Sequence, residues 1–198
     1  MISILPRTDP VTGQREVVAA GRFDVAGGNG ASNLARLVEC QRNAFCFGDG
    51  ALADHTTACP CGNNGVRGSG CAHSFDARGA SLVTTGVPSH GDVALHAQSL
   101  PATSFTLFIQ HTSVGDTIFH DGVLCAGGTL VRLRGRAAAA GQAQFPNSLF
   151  AQDSTTTLAQ RGGVFPGQGV RRYYSGWYRN ASSTFCPPAT ANVTNGCL

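Results

Sequence analysis

Eight cysteines stand at positions 40, 46, 59, 61, 71, 125, 186 and 197 of a 198-residue chain. Three of them crowd into "ACPCGNNGVRGSGC", shortly after "FCFGD". Thiols at such spacing can clasp a metal, carry out redox chemistry or staple a loop. A structural zinc site usually draws its thiolates from C-x₂₋₄-C knuckles, whose turn aims two sulfurs at one ion. Cys59-Pro60-Cys61 has a single intervening residue, and no second knuckle accompanies it. His73 follows Cys71 closely enough to serve as a fourth ligand, so zinc stays the alternative. A redox dithiol needs a low-pKa thiolate, typically in C-x-x-C at a helix N-terminus. No amphipathic helix follows Pro60 and Gly62. Disulfides fit the segment best, because it lacks side chains for a core and each staple contributes about 2–4 kcal/mol. Two cysteines separated by one proline do not readily bridge each other, so Cys59 and Cys61 need different partners. Spacing does not determine connectivity. The expected pairing is Cys46–Cys61, Cys59–Cys71 and Cys125–Cys186.

Other chemistry is sparsely marked. The G-x-S-x-G elbow of a serine hydrolase and the H-E-x-x-H pair of a zincin are both absent. Glu16 and Glu39 are the only glutamates, so a glycosidase would have to use aspartates. His111 and His120 flank "TSVGDTIF", and a hairpin there would bring them together. Asp49 and Asp54 sit in the Gly-rich "FGDGALAD", a loosely calcium-like set of oxygen ligands on a turn. Calcium is the one cofactor that this loop suggests. The richest aromatic stretch is "RRYYSGWYRN". On a strand, Tyr173 and Trp177 share one face and Tyr174 and Tyr178 the other, so one pair packs inward and the other is available to stack on sugar rings. Asn180 and Asn192 lie in N-x-[ST] sequons, which matter in a eukaryotic secretory pathway.

The elements that must position these residues read as strands. Glycine is abundant at 26 residues, charged residues make up only 13%, and all 14 basic residues are arginine. Runs such as "ASLVTTGV", "DVALHAQS", "TSFTLFIQH", "TLVRLRGR", "GVRRYYSGWYR" and "ATANVT" are separated by Gly, Pro, Asn and Asp. Short strands of this kind, with no long helical period, predict an all-β fold: an antiparallel β-sandwich, jelly-roll-like, with a disulfide-stapled N-terminal loop region. In "TSFTLFIQH" the alternation puts Phe105, Leu107 and Ile109 on one face, expected inward. Arg132, Arg134 and Arg136 alternate along "VRLRGR" as the wet face of a strand. No arginine cluster resembles a nucleic-acid footprint. No apolar run approaches the roughly 18 residues of a membrane-spanning helix. The first apolar stretch, about four residues, is shorter than the core of a secretory signal. Three parts are expected: residues 1–44 as a partial repeat or linker, 45–75 as the Cys-rich loop region, and 76–198 as the sandwich.

Two resemblances accompany these readings. Gly21, Phe23, Gly27, Gly28, Asn33, Ala35 and Arg36 match the "AGGxFxxAGG…NxIARW" pattern of kelch-like β-propeller repeats on bacterial surfaces, with Leu37 where the pattern has Trp. Such arrays need several neighbouring repeats, which implies lost upstream copies. Residues 45–196, through "CFGDG", "CPCGN", "GDTIFHDGVLCAGG" and "FCPPATANVTNG", resemble an uncharacterised Cys-containing β-domain of exported proteins in planctomycete-like bacteria. Cysteines 46, 59, 61, 71, 125 and 186 match its pattern; Cys40 and Cys197 do not. The resemblance implies a module near the C-terminal end of a longer exported chain, here cut at both ends, with no established catalytic activity.

Together these readings point to a non-enzymatic extracellular or cell-surface module with a structural or adhesion role. Its partners would be glycans or other surface proteins, with no nucleic acid and no membrane insertion. A carbohydrate-binding module using Tyr173, Tyr174, Trp177 and Tyr178 is the alternative, and a metal-dependent enzyme the third reading.

Overall fold

The computed structural model describes residues 2–8, 15–21, 25–26, 29–30, 34–38, 44–182 and 184–198. The chain forms two compact units, Met1–Asn43 and Ala44–Leu198. In the first, β1 (Ile2–Thr8), β2 (Arg15–Gly21) and β5 (Leu34–Val38) make an antiparallel sheet in the order β1-β2-β5. Between β2 and β5, β3 (Val25–Ala26) pairs with β4 (Asn29–Gly30). Of the repeat-like residues, Gly21, Ala35 and Arg36 fall on these strands. Phe23, Gly27, Gly28 and Asn33 lie outside the described residues, as does Cys40.

The second unit is an all-β antiparallel sandwich, and it runs from Ala44 without a break at residue 75. One sheet has the order β10-β7-β6, from β6 (Ser81–Thr85), β7 (Ala94–Gln98) and β10 (Ala143–Phe145). The other has the order β12-β11-β8-β9, from β8 (Phe105–Phe119), β9 (Gly122–Ala137), β11 (Tyr173–Arg179) and β12 (Ala191–Val193). Leu82, Leu95 and Ala97 from the first sheet meet Phe108, Leu133 and Tyr178 from the second, with Phe145 and Leu158 closing the cluster. Alternation along β6 and β7 is the sequence signature of this arrangement: every second side chain enters the core.

β8 departs from its expected facing. Thr106 and Phe108 are fully buried, whereas Phe105 is 48% exposed. The strand is then buried continuously from Phe108 to His111, and a bulge between Phe108 and Ile109 shifts its register against β9. A central strand covered on both faces loses the period-2 signal that assigns its inner side. The hairpin turn also falls later than expected. β8 continues through Phe119, so His111 and His120 stay nine positions apart along one strand direction, roughly 30 Å. The short α1 (Leu158–Gly162) has a reciprocal capping box between Thr157 and Gln160.

The outer edge of β6 is closed by side chains. Asn195 accepts from the Leu82 N–H (2.7 Å) and donates to the Leu82 carbonyl (3.1 Å), in place of a neighbouring strand. Cys197 Sγ lies 2.9 Å from the same carbonyl, inside the core. Asn195→Ala leaves the buried Leu82 N–H unmatched and its carbonyl with the Cys197 thiol alone, and it is expected to cost about 2 kcal/mol in denaturant unfolding under non-reducing conditions. A loss below about 1 kcal/mol would show that the edge is held by other means.

Candidate functional site

Residues 45–75 form a cap with few apolar side chains, and its position is set covalently and by backbone contact. Cys46 bonds to Cys125 on β9, Cys59 to Cys71 within the cap, and Cys61 to Cys186 in the β11–β12 connection. Of the three expected pairs, the structure contains Cys59–Cys71; Cys46–Cys61 and Cys125–Cys186 are replaced. The Cys46 N–H donates to Asp54 (2.6 Å) and its sulfur lies 3.3 Å from the Val123 carbonyl, so the side chain faces β9. Cys61 sits in a left-handed conformation (φ 56°) in the 3-10 turn Pro60–Gly62. That turn leaves it exposed, at the place where Cys186 arrives, while Cys59 is buried. Glycine permits the close stacking underneath. A Cβ on Gly48 would lie 2.3 Å from the Cys71 nitrogen, and one on Gly70 would lie 2.5 Å from the Val193 carbonyl oxygen.

Side-chain amides, those of Asn180 and Asn192 fully buried, join the cap to the sheets. Asn180 donates to Asp121 (2.6 Å) and accepts from the Ser74 N–H (3.2 Å) and hydroxyl. Asn192 donates to the Ala72 carbonyl (2.8 Å), and Asn63 donates to the Ala72 (2.9 Å) and Asp121 (2.8 Å) carbonyls. Burial pushes the Asp121 carboxyl up from its ordinary value, against the opposing Asn180 hydrogen bond. The two sequon asparagines are therefore fully enclosed structural groups. Their chemistry was visible in the sequence only as a modification motif.

The sequence-derived site residues are distributed rather than assembled. Tyr178 is fully buried and Tyr174 packs against the same core. Burial pushes the Tyr174 phenol up to about 12 and that of Tyr178 well above its usual value. Tyr173 and Trp177 occupy the opposite face, half-buried, with Phe45 and Phe105 edge-on against them. Between them Ser175 lies 3.5 Å from His111 Nε2; both are buried, and burial lowers the His111 pKa. Asp49 accepts from the Ala51 N–H (2.9 Å) as a turn cap, whereas Asp54 holds Cys46 and His55. His73 is enclosed against Tyr178 and the Ser99 carbonyl (2.7 Å), and Cys71 is disulfide-bonded. The zinc set built on Cys71 and His73 does not form. Among the described residues, the group of three metal-ligating side chains that converges is Cys46, His55 and Cys125.

Two arginines expected on a wet face turn inward instead. Arg134 and Arg136 both reach the buried Asp153 carboxylate, at 2.9 Å for Arg134, and Arg136 stacks 4.0 Å from the Phe150 ring centre. Beside this pair lies a groove of about 230 Å³, lined by His96, Gln98, Gln142, Gln144, Asn147 and Phe150 above a floor of alanines. No known protein family, curated protein or solved structure matches the chain. The groove offers amide donors and acceptors, an imidazole and one aromatic wall, with its arginine already paired to Asp153.

The irregular outer part of β8, between Val114 and Thr117, is also tied to the cap. Asp116 accepts from the Thr56 N–H (2.7 Å) and hydroxyl (2.6 Å) and from the Thr57 N–H (3.1 Å). The threonine hydrogen bonds, that of Thr56 foremost, hold its carboxyl far below the usual range. A depressed folded-state pKa contributes stability above the unfolded value, about pH 4, that is lost as pH falls toward the folded value. Amide exchange should show Thr56 and Thr57 losing protection below about pH 4 before the core amides do. Protection that persists unchanged to about pH 2 would reject this anchoring.

Proposed function

We propose that the chain is a non-enzymatic, extracellular β-sandwich module of a larger secreted or cell-surface protein, with a structural or adhesion role. The observation that carries this reading is the set of three disulfides fixing a core-poor cap. Two of them span 79 and 125 residues. Such bonds persist in oxidising compartments and are rare where thiols are kept reduced. Among the described residues, no helix is long and apolar enough to cross a membrane. The N-terminal unit is read as a partial surface-repeat element leading into the module. Expression with and without an export signal tests the proposal. The exported chain should carry the pairs 46–125, 59–71 and 61–186 in a non-reducing peptide map and resist protease. The reduced cytoplasmic chain should be degraded or lose several kcal/mol of stability. Equal stability of the reduced, zinc-free chain and the oxidised chain would overturn it.

Carbohydrate binding is the second reading, favoured by the groove beside Phe150. Neutral amides recognise hydroxyl groups, and an aromatic wall stacks on the apolar face of a sugar ring. The Arg136–Asp153 pair cancels the one formal charge that would otherwise select an anion. For a glycan selected on an array, Phe150→Ala and Gln144→Ala are expected to weaken binding about tenfold or more. Binding lost in Trp177→Ala but intact in these two variants would move the site to the Tyr173–Trp177 face.

A further inference from the structure

The disulfide between cap and sandwich has an unusual neighbour. His55 offers a ring nitrogen that lies, with the sulfurs of Cys46 and Cys125, in a group whose ligand atoms are all within 4.8 Å of one another. All three residues are buried, whereas residues 50–54, which precede His55 in the chain, are exposed. The Asp54 carboxylate organises two of them at once. One oxygen is 2.7 Å from His55 Nδ1, and the other accepts the Cys46 N–H at 2.6 Å. A carboxylate holding Nδ1 leaves the Nε2 lone pair for a ligand. This is the outer-sphere arrangement found behind metal-bound histidines.

We propose that reduction of the Cys46–Cys125 bond turns this staple into a zinc site, with Cys46, Cys125 and His55 as ligands and Asp54 as the positioning residue. Two thiolates and an imidazole suit zinc, with water in the fourth position. A dithiol donor delivers two electrons and two protons to the sulfur pair and closes to its own disulfide. Zinc then displaces the two thiol protons to solvent without further electron transfer. The cap would thus be fixed to β9 in either state, by a covalent bond when oxidised and by a metal when reduced. Metal binding at a site that only the folded chain assembles adds directly to folding stability. The inference rests on this cluster alone and applies wherever a dithiol donor reaches the Cys46–Cys125 bond; in an oxidising compartment the staple stays covalent.

The test uses the full chain, reduced without oxygen by a phosphine, which becomes a phosphine oxide with oxygen from water. One equivalent of zinc is added, and the alkylation rate of each cysteine is followed by mass spectrometry. Cys46 and Cys125 should be protected together, on the order of tenfold or more, with Cys59, Cys61, Cys71 and Cys186 little changed. His55→Ala should abolish the protection, and Asp54→Asn should weaken zinc binding by about 10–100-fold. His90→Ala, outside the cluster, should leave it intact. Equal alkylation rates with and without zinc, or protection that survives His55→Ala, would overturn the proposal. Should reduction alone erase the near-ultraviolet circular dichroism, zinc must restore it in the parent chain and not in His55→Ala; failure to restore it would overturn the proposal equally.

Discussion

The structure of the second unit depends on a cap that has almost no hydrophobic core of its own. Its apolar cluster consists largely of cysteines, Cys46, Cys59, Cys71 and Cys125, with Val123 from β9 and Phe45 at the margin. Burial of so little apolar area does not offset the entropy of ordering about 30 residues. Covalent closure acts on the other side of that balance by restricting the unfolded chain, and long loops gain most in the chain-entropy account. Two of the bridges are long-range, so the cap and the sandwich fold as one body and not as neighbours on a tether.

The second constraint is polar. In and beside the cap lie asparagines whose amides bond backbone groups that the strand ladders leave unpaired: Asn63 and Asn192 donate to the Ala72 carbonyl, Asn180 accepts from the Ser74 N–H, and Asn195 serves both groups of Leu82. Buried peptide groups must find partners, and an irregular cap has many. Asn63, Asn180, Asn192 and Asn195 supply those partners where strands do not. The close glycine contacts at Gly48 and Gly70 follow from the same economy of space: backbone lies against backbone, and side chains are excluded.

The fold class was legible because β6 and β7 alternate cleanly and Gly- and Pro-rich turns punctuate the chain. The separation of Cys59 from Cys61 was legible too, since one intervening proline directs them apart. What escaped was long-range. The partner of Cys46 depends on where β9 passes the cap, and that of Cys61 on a left-handed turn and the path of the β11–β12 connection. Neither is encoded in spacing. The inward face of β8 was misread because burial on both sides erases alternation, and Arg134 and Arg136 because a buried Asp153 far along the chain recruits them. The buried asparagines carried no signal of their role, since an amide that caps backbone looks in sequence like any polar loop residue.

That role bears on how the chain can be made. Oligosaccharide transfer in a eukaryotic secretory lumen acts on Asn-X-Ser/Thr before folding is complete, and both Asn180 and Asn192 qualify by sequence. In the folded chain each amide is fully enclosed and donates through its nitrogen, to Asp121 and to the Ala72 carbonyl respectively. A glycan on that nitrogen and the native amide network exclude one another, because both need the same atom and the same space. Production in yeast or animal cells therefore sets modification against folding at two points, whereas a bacterial periplasm supplies the oxidant without the competing reaction.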